Sequence, residues 1–523
     1  MERRLLKRPK AYYDSVTLMR ISSEAKRVPN VLQVAVVMAT EMNRAILEDT
    51  GFAPAEFADM GPNDLVIGLV AETTEALDDA LARVDELLGA IGKGSDQRSE
   101  ERVQTLEGAL ERMEGANLAI VSTPGAFAAR EAMKALKNGL HVMIFSDNVP
   151  LEKEVALKQE AKRLGRLVMG PDCGTAMIHG VPLGFVNVVR RGTVGMVAAS
   201  GTGLQEVAVL IHHLGGGISH AIGTGGRDLS DEVGGITMLQ GIDMLEHDPD
   251  TEIITLVSKP PAPATMQRLL ERVRQLTKPC IIGFLGASAE VVEQARAEGL
   301  RVATTLEETA RMTLEQPLTP LPDEAEEVEA AVAAELARYP KGLNPGTYVR
   351  GLYSGGTLCH ESYLTLDSML SGVYSNLAKK APYKLEDPTV SPGHILIDMG
   401  DDFFTQNKPH PMIDPGYRLD RLRAEALDPE TAVILLDVVL GYGSHADPGG
   451  AVAEEVAKLR AELASVGRHV AFVASVTGTE EDPQPRSAQL AKLEAAGVTL
   501  LSTNYRAARV AGLIIESLKG VQA

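Results

Sequence analysis

The sequence has no tryptophan, three cysteines and 4% aromatic residues. Cys173, Cys280 and Cys359 lie far apart with no CxxC spacing, so neither a disulfide scaffold nor a structural zinc site is expected, and a reducing cytosol suits the chain. No apolar run approaches the ~18 residues of a membrane helix. The arm from Met1 to Lys10 has no signal-peptide apolar core. The expectation is a cytoplasmic protein without a membrane partner. Basic residues are also in deficit: 51 Lys+Arg against 71 Asp+Glu give a formal charge of −20, which argues against nucleic acid as principal partner. What the chain does have is bulk. Its 523 residues, 45% hydrophobic, exceed one core and predict three or four domains at roughly 100–200 residues each.

One pattern occurs twice. Ser200-Gly201-Thr202 is followed after three residues by Glu206, and Ser354-Gly355-Gly356-Thr357 after three residues by Glu361. Each follows a strand-like or turn segment and opens an apolar-periodic stretch, which predicts free backbone N–H groups and a hydroxyl at a helix N-terminus, an arrangement suited to anions. Two later landmarks repeat in the same order. Asp248-Pro249-Asp250-Thr251 and Asp428-Pro429-Glu430-Thr431 each precede an apolar run; Gly299 with Thr304-Thr305 and Gly497 with Ser502-Thr503 close each copy. This order implies a duplicated α/β domain, with two helix N-termini able to face each other across a phosphate or a transferring acyl group.

Along the chain, residues 1–100 read as a small N-terminal α/β domain of ferredoxin-like type, with Val16 to Arg20 and Val31 to Val37 strand-like and Thr74 to Leu88 helical. Gly92 to Glu101 reads as a linker. Residues 111–190 form a Rossmann-like domain: Leu118 to Ser122 is a buried strand, Thr123-Pro124-Gly125 a turn, and Ala126 to Asn138 a helix. Residues 191–315 and 344–523 are the two repeat domains, joined by a linker at 316–343, with Ser375 to Pro392 and Phe403 to Tyr417 as insertions in the second.

With these residues in place the chain resembles a known family. Gly170-Pro171-Asp172-Cys173-Gly174, Gly192 to Val197, the first Ser-Gly-Thr pattern and Gly225-Gly226-Arg227-Asp228 resemble the α subunit of succinyl-CoA synthetase. Ser354 to Thr503 resembles the ligase domain of that enzyme's β subunit. With Val16 to Lys26 added, the chain resembles the FdrA family of acyl-CoA-synthetase-like proteins over essentially its whole length. The resemblance implies an α/β fold: a Rossmann-like CoA-binding-type domain followed by two flavodoxin-like domains, behind a small N-terminal α/β domain. It also implies CoA as a ligand, phosphate or carbamoyl phosphate as substrate, and companion subunits in a hetero-oligomeric enzyme.

Two departures bear on mechanism. The synthetase's Gly-His-Ala-Gly-Ala phosphohistidine loop should follow Cys280 to Phe284, but the sequence there is Gly283-Phe284-Leu285-Gly286-Ala287-Ser288-Ala289-Glu290. The glutamate segment that supports the histidine reads Ser258-Lys259-Pro260-Pro261. No ATP-grasp domain or GxxxxGK[ST] pattern accompanies them. Because the family includes an oxamate carbamoyltransferase component, the resemblance ranks carbamoyl transfer from oxalurate to phosphate above acyl-CoA ligation, with a non-catalytic assembly role third.

Candidate residues follow. Ser200, Gly201, Thr202, Ser354, Gly355, Gly356 and Thr357 are the phosphate-binding candidates, against a plain helix-capping reading. Arg227 offers a guanidinium fork for phosphate or carboxylate, and His360, in the first turn after the second cradle, is the acid–base candidate. Gly400-Asp401-Asp402, at the matching place in the second repeat, could bind a cation or partner Arg227. Thr123, Pro124 and Phe127 stand where the resembled synthetase grips CoA. Glu206 and Glu361 read as first-turn carboxylates favoured by the helix dipole. Cys173 reads as a structural thiol, and no metal site is expected.

Overall fold

The structure, a computed structural model, describes all residues except 1, 10–12, 14, 58, 62–63, 95–102, 104, 316, 340–345, 380, 406–407 and 523. The chain divides into two compact units, Met1–Arg102 with Asp402–Gly416, and Val103–Asp401 with Tyr417–Ala523. The first unit holds β1 (Glu2–Arg8), β2 (Val31–Met38) and β3 (Leu65–Ala71) in the antiparallel order β1-β3-β2. With crossing helices at Ser15–Lys26 and Thr74–Gly94, this is the ferredoxin-like arrangement with three strands among the described residues. Val16 to Arg20, expected as a strand, lies in the first of these helices. Leu18, Ile21 and Ala25 are buried at helical spacing, and that longer period outweighs the β-branched start. The expected linker begins inside the second helix, which runs to Gly94, and its remainder at 95–101 lies outside the described residues. The 316–343 linker contains the helix Glu324–Leu336, while 316 and 340–343 lie outside the described residues.

The second unit carries three sheets. β4 (Leu118–Val121), β5 (His141–Ile144) and β6 (Val168–Met169) form a short parallel sheet, the Rossmann-like part. It is shorter than the sequence suggested, because β7 (Thr175–Ile178) and β8 (Val181–Gly184) form a hairpin that pairs antiparallel with the next sheet. There β9 (Arg191–Ala198), β10 (Ile218–Gly223), β11 (Ile253–Ser258), β12 (Cys280–Phe284) and β13 (Arg301–Ala303) run parallel in the order β13-β12-β11-β9-β10.

The last sheet comprises β14 (Tyr348–Tyr353), β15 (Val373–Ser375), β16 (His394–Asp398), β17 (Thr431–Val439), β18 (Ala471–Thr477) and β19 (Thr499–Leu501), in the order β15-β16-β14-β17-β18-β19. Counting β9 to β13 as strands one to five gives 2-1-3-4-5, the flavodoxin order; β14, β16, β17, β18 and β19 repeat it, with β15 added at the edge. Every residue of β17 is buried, as expected for a central parallel strand covered on both faces. Each sequence landmark falls at the same place in both sheets. The Asp-Pro segments precede the third strands, and Gly299 and Gly497, at φ +85° and +83°, end the fourth-strand helices where only a residue without Cβ is unstrained.

Candidate active site between the repeats

Strand one of each repeat ends in the Ser-Gly pattern, and the helices that follow, Gly201–His213 and Gly356–Met369, start against one another. Ser200 Oγ lies 2.6 Å from Thr357 Oγ1 and also accepts the Gly203 N–H at 3.0 Å. The contact is reciprocal. A Cβ on Gly355 would come within 2.9–3.0 Å of the Thr202 side chain, and one on Gly203 within 2.9 Å of Thr357 Cγ2, so glycines on each side receive a threonine from the other. The N–H groups of Gly201 and Thr202, in the helix's first turn, have no acceptor within the helix, and Gly201 is exposed.

The second cradle is different, and this corrects the sequence reading of two equivalent anion sites. Its donors serve a carboxylate of the protein itself. Asp437, at the C-terminal part of β17 and fully buried, accepts Ser354 N at 2.9 Å, Ser354 Oγ at 3.0 Å and Gly355 N at 2.8 Å, and pairs with Arg418 at 2.7 Å. Gly356 is glycine for a related reason: its missing Cβ leaves room for the Asp398 carboxylate. Asp437 takes donors that precede the second helix, whereas Gly356 and Thr357, the counterparts of Gly201 and Thr202, are more buried than they are, so the Ser200-Gly201-Thr202 side is the more open to an external phosphate. Sequence reading missed Asp437 and Arg418 because their partners are about 80 and 65 positions away along the chain.

Glu206 and Glu361 are buried carboxylates that cap helices of the opposite repeat. Glu361 accepts the Leu306 N–H at 2.7 Å, at the start of helix Leu306–Thr313, and Asn504 Nδ2 at 2.8 Å. Glu206 faces the start of helix Asn504–Gln522, accepting Asn504 N at 3.5 Å and the Thr477 hydroxyl. Burial raises both, Glu361 to about 7. Its proton is therefore held more tightly in the folded chain than near 4.5, the ordinary value, and this contribution is present below about pH 4.5 and lost as pH rises through about 7. Glu361→Gln removes the dependence. The stability advantage of wild type over this variant in urea unfolding is expected to shrink between about pH 5 and about pH 8; an advantage that grows over that range contradicts the assignment.

A second group of polar residues lies on one side of the helix meeting. Val257 of β11 is in register with Ala198 of β9, so Lys259 follows the end of β11 beside the strand that leads to Ser200. β12 then turns, with Leu285 N–H bonded to Ser258 O, and a Cβ on Gly286 would lie 3.5 Å from His360 Nε2. His360 is 8% exposed, and its Nδ1 has no partner among the described residues. Burial, helped by the Lys259 and Lys379 ammonium groups, pushes its pKa down to about 4, leaving a neutral imidazole. Asp398 accepts Gly400 N at 2.9 Å and is pushed up to about 7, chiefly by burial, while Lys259 is lowered by burial against the attraction of Asp398.

The remaining candidates do not join this group. Arg227 donates to Val149 O at 2.7 Å and pairs with Glu154 at 2.9 Å. Glu154 also binds Lys158, which reaches Asp228 at 2.7 Å, so these four residues tie the Rossmann-like sheet to the first repeat. The Arg227 fork is thus engaged by Glu154 and the Val149 carbonyl. Thr123 and Pro124 are exposed at the end of β4, and Phe127 is 63% exposed in the first turn of helix Gly125–Lys137. Burial pushes Cys173 up to about 12, an unreactive thiol.

A Rossmann-like sheet followed by two flavodoxin-order domains whose first helices meet end to end defines an acyl-CoA-synthetase-like protein. Residues 352–514 match the CoA-ligase model, 190–285 the CoA binding domain model and 1–105 the model described as AllF, heavy metal-associated domain. The uncharacterized protein YahF of Escherichia coli K12 is 43% identical over 96% of this chain and 97% of its own. The α subunit of the ADP-forming succinate–CoA ligase of Methanothermobacter thermautotrophicus is 28% identical over 33% of this chain and 58% of its own. A dinucleotide-forming acetyl-coenzyme A synthetase of Ca. Korarchaeum cryptofilum, solved with phosphate and ADP, matches at 15% identity over 78% of this chain and 83% of that one, with a TM-score of 0.33. The chain belongs to the FdrA family of acyl-CoA-synthetase-like proteins. The heavy-metal description does not fit its residues: positions 1–105 contain neither cysteine nor histidine, and no metal-binding cluster occurs among the described residues.

Proposed function

We propose that this chain is the acyl-transfer component of an acyl-CoA-synthetase-like enzyme that uses phosphate directly, with no protein phosphohistidine. The observation that carries the reading is the meeting of two helix starts from opposite repeats, joined by the 2.6 Å Ser200–Thr357 hydroxyl contact, in a chain whose carrier-histidine loop is replaced by Gly283 to Glu290. The open first turn at Gly201 and Thr202 offers N–H groups to a phosphate, and the same dipole favours the oxyanion that develops on an attacked carbonyl. Holding both reactants there supplies proximity without a covalent intermediate.

In the acyl-CoA form, supported by the CoA-ligase and CoA-binding matches, a phosphate oxygen attacks the thioester carbonyl. The C–S bond breaks, the C–O bond of an acyl phosphate forms, and the phosphate proton passes to the CoA thiolate. Thr123, Pro124 and the exposed Phe127 would contact the nucleotide. A second form, favoured by the missing carrier histidine, is carbamoyl transfer. Phosphate attacks the carbamoyl carbon of oxalurate, the C–N bond breaks, and the proton goes to the departing amide nitrogen, giving carbamoyl phosphate and oxamate. In this reading companion subunits complete the α-keto acid amide pocket.

Full-length protein, alone and with its proposed companion subunits, is incubated with radiolabelled phosphate and either an acyl-CoA or oxalurate. Labelled acyl phosphate or carbamoyl phosphate is expected from one donor and only when phosphate is present, with no labelled protein after incubation with labelled ATP. Product formation without phosphate, or a stable phosphoprotein, overturns the reading.

A further inference from the structure

We propose that Lys259 of the first repeat and His360 of the second form one anion-binding site across the repeat junction, with Asp398 as the acidic group that limits how tightly it binds. The inference rests on the phosphate reading above and assigns residues to it. Three independent placements support it. Lys259 follows directly from the end of β11, whose register with β9 sets it at the same sheet edge as Ser200. No hydrogen bond or ion pair of its ammonium group occurs among the described residues, and the residue is half-buried. An ammonium withdrawn from water without a direct partner is costly, and an anion would offset that cost.

His360 comes from the facing helix. Its Nε2 side lies against the Gly286 turn, and its Nδ1 is a buried polar atom without a partner, in an imidazole otherwise enclosed by protein. Native chains leave few such atoms unpaired, and those they leave often mark a missing ligand. A neutral imidazole can present Nδ1 as a donor to an anion or as an acceptor for the proton of a monohydrogen anion. Both Lys259 and Lys379 are close enough for their charges to bear on this ring. Lys379 is exposed, so it adds attraction at the mouth rather than a fixed contact.

Asp398 supplies the opposing sign. It sits at the end of β16 beside the Gly356 helix start, and its charge and that of Lys259 act on one another. The pair leaves Lys259 with a neighbour at charge distance but no direct partner, which keeps the site reversible instead of locking an anion in place. The corresponding position in the first repeat is Gln205, five residues after Ser200 as His360 is six after Ser354, and Gln205 donates to Asn187 Oδ1. The two junctions thus differ at this position: an imidazole stands beside Lys259, and an amide stands on the other side, where the Arg486 guanidinium acts on Glu206 instead.

The test is equilibrium binding of inorganic phosphate to the full chain, followed calorimetrically. Lys259→Met is expected to weaken phosphate binding at least tenfold, and Lys259→Arg to weaken it less. Asp398→Asn is expected to tighten it severalfold, a gain that misfolding cannot produce. His360→Phe should weaken binding as Lys259→Met does, while Gln205→Leu on the opposite junction should leave it unchanged. Phosphate affinity within twofold of wild type in both Lys259→Met and Asp398→Asn overturns the proposal. If wild-type protein binds phosphate and these variants respond, yet acyl transfer proves independent of phosphate, the site stands and the functional reading fails.

Discussion

Replacing Asp437 by alanine is expected to destabilise the second unit by about 3–5 kcal/mol, as measured by chemical denaturation of the full chain. The carboxylate is fully buried and does two things at once. It neutralises Arg418, whose guanidinium also donates to Leu352 O and to the Asp437 carbonyl, and it accepts three donors at the second helix start, from Ser354 and Gly355. Alanine leaves a guanidinium charge and three polar hydrogens in an interior that water does not reach. Removing one partner of a buried pair costs far more than removing both, because the remaining charge keeps its full desolvation penalty. The double variant Asp437→Leu with Arg418→Met should therefore recover much of the loss. Asp437→Asn should fall between, keeping one acceptor oxygen while losing the charge. An Asp437→Ala protein within about 0.5 kcal/mol of wild type would contradict the view that this carboxylate occupies the second cradle.

The duplicated fold was legible because its landmarks are local. An Asp-Pro turn before a strand, a left-handed glycine after a helix and a threonine cap before the next helix are each set by a few adjacent residues, and all fall at equivalent places in the two sheets. The sheet order itself was not in those signals. It came from resemblance, and the hairpin β7–β8 shows the limit: its residues read as part of the Rossmann-like half, yet they pair with the neighbouring sheet through long-range contacts that no local pattern encodes. The same holds for the site. The Ser-Gly-Thr pattern marks a helix start but cannot say whether its donors face solvent, as at Gly201, or an internal carboxylate, as at Ser354. Arg227 shows the converse, a residue chosen for its chemistry whose partner, Glu154, lies in another sheet's helix. The Ser258-Lys259-Pro260-Pro261 segment carried a signal that could have been used, since it brings a lysine where the resembled family has its glutamate segment.

Gly203→Val and Gly355→Val are each expected to cut phosphate-dependent activity by about 100-fold, because both drive a branched side chain between the two helix starts. The glycines are not needed for backbone freedom here; neither has a positive φ. They are needed because a Cβ at Gly355 would enter space held by Thr202 of the other repeat, and one at Gly203 would meet both the Ser200 cap hydroxyl of its own repeat and Thr357 of the other. Overpacking of this kind costs about 1–3 kcal/mol and is relieved by separating the helices and, at Gly203, by displacing the Ser200 cap hydroxyl as well. A shift of about 1 Å is enough to misplace a reacting phosphate relative to the carbonyl it attacks. The design therefore separates geometry from chemistry. Adding Thr202→Ala to Gly355→Ala removes the obstructing methyl and hydroxyl together, so thermal stability should return toward wild type, while phosphate affinity stays reduced through loss of the Thr202 hydroxyl. Gly201→Ala places its Cβ 3.3 Å from Thr175 Oγ1, a single side-chain contact, and should change stability little. Full activity in Gly203→Val or Gly355→Val would mean that the transfer takes place away from the point where the repeats meet.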